Sequence, residues 1–258
     1  MPAKRFKRKK RSNGMSNRIK KLEEKIEPMI KTFEQRQYDY VAPAAPTYIG
    51  KPLIYGTPVV LRASDLYPTL QDGTTASAQN GTVRLGDKIT LTSMRIKGEV
   101  RACDSNSATA ERTNIVRFIL VKFKESVVAL TNAEICSAVL QQYPTVTGGA
   151  LSSVDSMYSS YKNVIDINNS LPMMNYQVLR DQTFRLTNPQ NATASGAEQW
   201  RRGFQIEKFW KKGLVQQYSK PLSDQPDINQ VVLICLSDST VAPHPDMTLV
   251  SRAKYMDA

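Results

Sequence analysis

The sequence predicts an all-β chain: an eight-stranded jelly-roll β-sandwich behind a basic N-terminal arm that contains a short helix. Three observations carry this reading. Beyond residue 58 the apolar residues recur with a period close to two. The segments so defined are joined by long polar connections in place of tight Asn-Gly hairpins, as in two Greek keys folded together. Positive charge is concentrated at one end of the chain.

The strands follow in order. GDKITLTSMRIKGEVRA (86–102) places Ile89 and Leu91 on one parity and Met94, Ile96 and Val100 on the other, so a β-bulge near Thr92-Ser93 keeps all five facing one core. NIVRFILVKFK (114–124) is apolar on both parities at its centre, the pattern of an interior strand. Residues 174–187, 202–210, 214–219, 229–238 and 247–257 continue the series, and a weaker segment around Val154 to Tyr161 makes the eighth. Thr131-Asn-Ala-Glu134 is a capping box that predicts a helix over 132–142. Within RGFQIEKFW, Phe204, Ile206 and Trp210 share the core parity and Phe209 falls on the other; for these aromatics and Trp200, core packing or a subunit contact is preferred to base stacking.

The chain carries a formal charge of +12, yet ten of its 35 Lys and Arg lie within residues 1–21, which hold no Asp or Glu. The remainder has 25 basic against 23 acidic residues, so the basic character belongs to an arm and not to a basic globule. The ten are Lys4, Arg5, Lys7, Arg8, Lys9, Lys10, Arg11, Arg18, Lys20 and Lys21. A block of like charge is ordered by a polyanion, and nucleic acid supplies one through phosphate contact and counterion release. A membrane is the weaker partner, because residue 2 is not the glycine that acylation needs and Phe6 is the arm's only apolar wedge. KRFKRKKR also suits a nuclear address read by an import receptor.

Behind the charge block, Ser16 can cap a helix in which Ile19, Leu22, Ile26, Met29 and Phe33 recur at spacings of three and four. That seam is too short to stand alone, so Ile19, Leu22, Ile26 and Phe33 are expected to pack against a neighbour, with a kink or restart at Pro28. Pro and Gly then recur through residues 38–58, as in an extended tether. The organisation expected is an arm over 1–37, a linker over 38–58 and a jelly-roll β domain over 59–258. No secretory apolar region or membrane-length apolar run occurs, which predicts a soluble chain. Cys103, Cys136 and Cys235 are odd in number and widely spaced, the usage of reduced thiols, and the last two sit in apolar runs.

Catalytic chemistry is sparse. His244, the sole histidine, lies between two prolines without an acidic or nucleophilic motif beside it. Zinc-ligand spacing, a phosphate-cradling Gly loop and a Gly-x-Ser-x-Gly elbow are all missing from the sequence. Acidic loops at 166–169 and 223–227 read as solvated and not as calcium sites. The sequence therefore predicts no enzyme, no cofactor and no metal.

GDKITLTSMRIKGEV, then NIVRFILVKFK with a short helix after it, then YQVLRDQTFRL, and finally LVSRAKYMDA resemble, in that order, the single jelly-roll capsid proteins of circular Rep-encoding single-stranded DNA (CRESS DNA) viruses, whose shells are related to those of plant satellite viruses. The resemblance covers roughly residues 59–258. It implies a homo-oligomer of about sixty subunits in a T=1 icosahedral capsid, a virion protein that assembles in the host nucleus, and an arm inside the shell holding single-stranded DNA. It makes RFILVKF (117–123) the third strand of the series and assigns the ten arm cations to nucleic acid. The arm departs from the long Arg-rich arms of many members in being short and Lys-rich, and its Ile19 to Phe33 seam is closer to satellite-virus arm helices. Whether the arm acts as a disordered condenser or an ordered helix at a symmetry axis stays open. The alternative is a non-assembling single-stranded nucleic-acid-binding or nuclear shuttle protein, for which RIKGEVR and SRAKY offer cations but few aromatics.

Overall fold

The computed structural model describes residues 34–42, 51–66, 84, 86–102, 113–141, 161, 176–187, 201–219 and 225–257. Among the described residues nine strands are present: β1 (Glu34–Ala42), β2 (Lys51–Pro52), β3 (Val59–Leu61), β4 (Lys88–Arg101), β5 (Thr113–Glu125), β6 (Tyr176–Thr187), β7 (Arg201–Gln217), β8 (Ile228–Ser237) and β9 (Asp246–Asp257). Two short helices, α1 (Ala63–Leu66) and α2 (Asn132–Val139), lie between strands. Apart from the two-residue β2, the strands form two four-stranded antiparallel layers, β1-β9-β4-β7 and β3-β8-β5-β6, joined where Gln217 pairs with Ile228. Every connection between these eight strands except β5 to β6 passes from one layer to the other, which is the path of a jelly roll.

Alternation in each strand dictates how the layers meet. Ile89, Leu91, Met94, Ile96 and Val100 of β4, Val116, Phe118 and Leu120 of β5, and Leu249, Ala253 and Tyr255 of β9 are buried in one cluster between the sheets. The bulge expected near Thr92 is there: the register slips between Leu91 and Ser93 against both β7 and β9, so both parities of β4 reach this core. Phe204 of β7 stacks on Phe118 of β5 with ring centroids 4.5 Å apart, tying one sheet to the other. Gly98 makes room for that ring, since a methyl there would sit 2.8 Å from the Phe204 ring.

The second sheet is covered on its outer face too. Ile119, Val121, Phe123, Val232, Ile234 and Leu236 form a second buried cluster with Ile135, Cys136 and Val139 of α2. That explains the run of apolar residues on both parities of β5. Helix α2 starts at the expected capping box: Glu134 N–H donates to Thr131 Oγ1 at 3.2 Å and Thr131 N–H donates back to Glu134 Oε2 at 2.7 Å. Cys136 and Cys235 are free and buried, as expected of small hydrophobes.

Three expectations are corrected. Residues 202–210 and 214–219 are one strand, β7, because Trp210-Lys-Lys-Gly213 is a bulge that opposes Thr92 alone, with Gly213 at φ +72°. The strand Glu34–Ala42, read as the end of the helical seam and the start of the tether, pairs with β9 over nine residues. With β1 and β3 ahead of it, RFILVKF belongs to the fourth of the eight jelly-roll strands and not the third. Residues 154–160 lie outside the described residues; Tyr161 forms an isolated bridge with Leu140.

Candidate nucleic-acid interface

All of the arm positions read from the sequence, Lys4, Arg5, Lys7, Arg8, Lys9, Lys10, Arg11, Arg18, Lys20 and Lys21 together with Ile19, Leu22, Ile26 and Phe33, lie outside the described residues. What is described is the strand that follows them, β1, seated in the sheet beside β9 with Glu34 opposite Asp257. The charge block therefore joins the fold at the edge of the β1-β9-β4-β7 sheet.

The outer face of that sheet is built by the same alternation that buries its inner face. Between Met94, Ile96 and Val100, the residues Arg95, Lys97 and Glu99 point outward; between Leu249, Ser251, Ala253 and Tyr255, the outward residues are Val250, Arg252 and Lys254. On β7, Phe204 and Ile206 are buried while Gln205, Glu207 and Phe209 take the outer parity. Register then sets the rows across strands: Gln37, Lys254, Ser93, Phe209; next Asp39, Arg252, Arg95, Glu207; next Val41, Val250, Lys97, Gln205. The middle row carries acidic residues at both ends, and Arg95 forms an ion pair with Glu207. Toward the far end of the face, Arg101 pairs with Asp246 at 2.8 Å and Arg201 lies 3.6 Å from Glu99. Phe209, placed off the core by parity as expected, is 64% exposed.

The other polar cluster is structural in character. On the α2 side of the second sheet Arg117 donates to Asp181 Oδ2 at 2.7 Å, Tyr161 also donates to Asp181, and the Arg117 guanidinium lies 5.5 Å from the Tyr161 ring centre. Burial pushes the Asp181 carboxyl up, but the hydrogen bonds from Arg117 and Tyr161 and the adjacent positive charge outweigh it and hold the group below its usual range. The same burial and the hydrogen bond to Asp181 push the Tyr161 phenol up. These contacts pin Tyr161 onto β6.

His244 has a partner the sequence did not show, the hydroxyl of Ser239 at 3.0 Å from Nδ1. Ser239 is fully buried and its carbonyl accepts from Tyr55 N–H at 2.8 Å, so the pair braces the loop before β9. Of the acidic stretches, 166–169 and residues 223–224 lie outside the described residues; Asp227 accepts from Ser219 and Gln225 from Gln230.

No protein-family model matches the chain. No curated protein matches it either. Among solved structures, one titled "Crystal structure of 60-mer BFDV Capsid Protein" aligns over 87% of this chain and 90% of its own, with 7% identity and a TM-score of 0.23, a superposition too loose to assign fold or function.

Proposed function

We propose that this chain is a viral capsid protein that self-assembles into an icosahedral shell and packages single-stranded DNA through its basic N-terminal arm. The observation that carries the reading is the joining of a complete eight-strand jelly roll to ten arm cations. Jelly rolls serve capsids, lectins and cupins. A cupin site needs several histidines and this chain has one, whereas residues 1–21, with ten cations and no acidic residue, have an evident use against phosphate. The preference for DNA over RNA, the count of about sixty copies and assembly in the nucleus rest on the sequence resemblance. Sixty arms would supply on the order of 600 positive charges, enough to offset a like number of phosphates. The chain is read as structural, with no catalytic role and no cofactor.

Particle size tests this. Purified protein should sediment as closed particles that protect nucleic acid from nuclease, and deleting residues 1–21 should abolish packaging while the β domain stays folded. A stable monomer at high concentration would sink the capsid reading. Normal packaging by the deletion would sink the role of the arm. A second reading, a non-assembling single-strand-binding protein, is favoured by the exposed Phe209 among cations, and it predicts the monomer.

A further inference from the structure

RIKGEVR (95–101) and SRAKY (251–255) are about 150 residues apart in sequence, yet strand pairing sets them side by side, with Arg95 opposite Arg252. Like charges directly opposite one another destabilise a sheet unless neighbours offset them, and here Arg95 is ion-paired to Glu207. The acidic residues are unevenly placed. Asp39 and Glu207 close the Arg252-Arg95 row, while the rows on either side, holding Lys254 and Lys97, contain no acidic residue. Two basic rows thus flank a balanced one. Phe209 ends the Lys254 row and is the most exposed large hydrophobic residue among those described. The bulge that follows it carries Lys211 and Lys212, both exposed, beside the end of this row.

We infer that this outer sheet face is a second single-stranded nucleic-acid surface, on which a base stacks against Phe209 and phosphates lie against Lys97, Lys254, Lys211 and Lys212. An exposed aromatic on a face that also carries lysines, Lys254 in the same row beyond Ser93 and Lys97 two rows on, is the combination that binds single strands without sequence preference, since every unpaired base has a π-face. A duplex keeps its bases stacked on each other and would leave Phe209 unused. A second copy of this chain would bring its own lysine rows against these, which charge disfavours. The inference rests on the nucleic-acid half of the proposed function and not on shell closure.

The test uses the full-length chain and a single-stranded oligo(dT) probe. Ultraviolet crosslinking with peptide mapping should place a crosslink on Phe209. Phe209→Leu should lose that crosslink and weaken binding roughly fivefold or more, while Phe209→Trp retains both. Lys97→Gln with Lys254→Gln should lower the slope of log affinity against log salt by about 1.4. A chain with its seven cations at 4–11 changed to Gln separates this surface from the arm. It should keep the Phe209 crosslink, and if it also kept full affinity the arm reading alone would fail. Crosslinks confined to residues 1–21, with affinity and salt slope unmoved by the Phe209 and lysine changes in folded protein, would overturn the inference. So would loss of particle assembly in those variants with nucleic-acid binding intact, which would make the face a contact between copies.

Discussion

Gly98→Ala tests the architecture at the point where three strands and both sheets meet. Gly98 is paired with Phe204 on one side and Leu249 on the other. A methyl added there would lie 2.8 Å from Cε1 and Cζ of the Phe204 ring and closer still to the carbonyl oxygen of Thr248. The ring can relieve its share only by leaving Phe118, on which it stacks at 4.5 Å, and the carbonyl only by moving β9 off β4. Overpacking a dense core costs about 1–3 kcal/mol and a lost aromatic pair about 0.5–1.5, so ~2–4 kcal/mol is expected. For a domain of this size that lowers Tm by roughly 4–16 °C. Urea melts at fixed protein concentration, read by tryptophan fluorescence, would measure it. Adding Phe204→Leu should recover part of the loss, because only the ring contact is relieved while the carbonyl contact remains. A Gly98→Ala protein within about 0.5 kcal/mol of the parent would refute the reasoning, since surface substitutions fall in that range and buried clashes do not.

Other perturbations follow from the same contacts. Asp181→Asn or Arg117→Leu should cost about 1–3 kcal/mol, the worth of hydrogen bonds to a partly buried charge, seen as a lower urea midpoint. Because the folded Asp181 carboxyl is held below its unfolded value, its contribution is fully present above the ordinary carboxylate range and is lost as pH falls through the lower folded value; Asp181→Asn should flatten that limb of the stability profile. The Cys136 thiol is pushed up to about 12 by burial and that of buried Cys235 is raised as well, so neither should react with iodoacetamide at pH 8 until denaturant is added, as peptide mapping would show. Gly213→Ala puts a side chain at φ +72° and against Thr90, and should cost about 1–2 kcal/mol by thermal melting.

Local pattern announced whatever local physics decides. The parity change at Thr92, the capping box at Thr131 and the outward placement of Phe209 were all legible, since each depends on residues a few positions apart. The missed elements depend on distant partners. EQRQYDYVA reads weakly beside the Pro-rich stretch after it, and what makes it a strand is the edge of β9, over two hundred residues away. Lys211-Lys-Gly213 looks like a turn between two strands, but Thr92 opposite absorbs the extra residues as a bulge and the strand resumes. The cationic face was legible only in pieces. RIKGEVR and SRAKY stand out as cations in the sequence, but only register sets Arg95 against Arg252 and puts Lys254 and Phe209 in one row.

The pairing of β1 with β9 has a consequence for avidity. Because β1 begins at Glu34, Lys21 is thirteen residues from the fold, and a chain of that length spans at most ~45 Å in any conformation. The start of β1 lies beside the end of β9, a few residues from Lys254. On the proposed reading, a strand of nucleic acid held by the sheet would meet the arm at an effective concentration bounded by that reach. Two modest contacts on one strand would act as a single bivalent grip, and inserting uncharged residues between Lys21 and Glu34 would tune its strength without changing a charge.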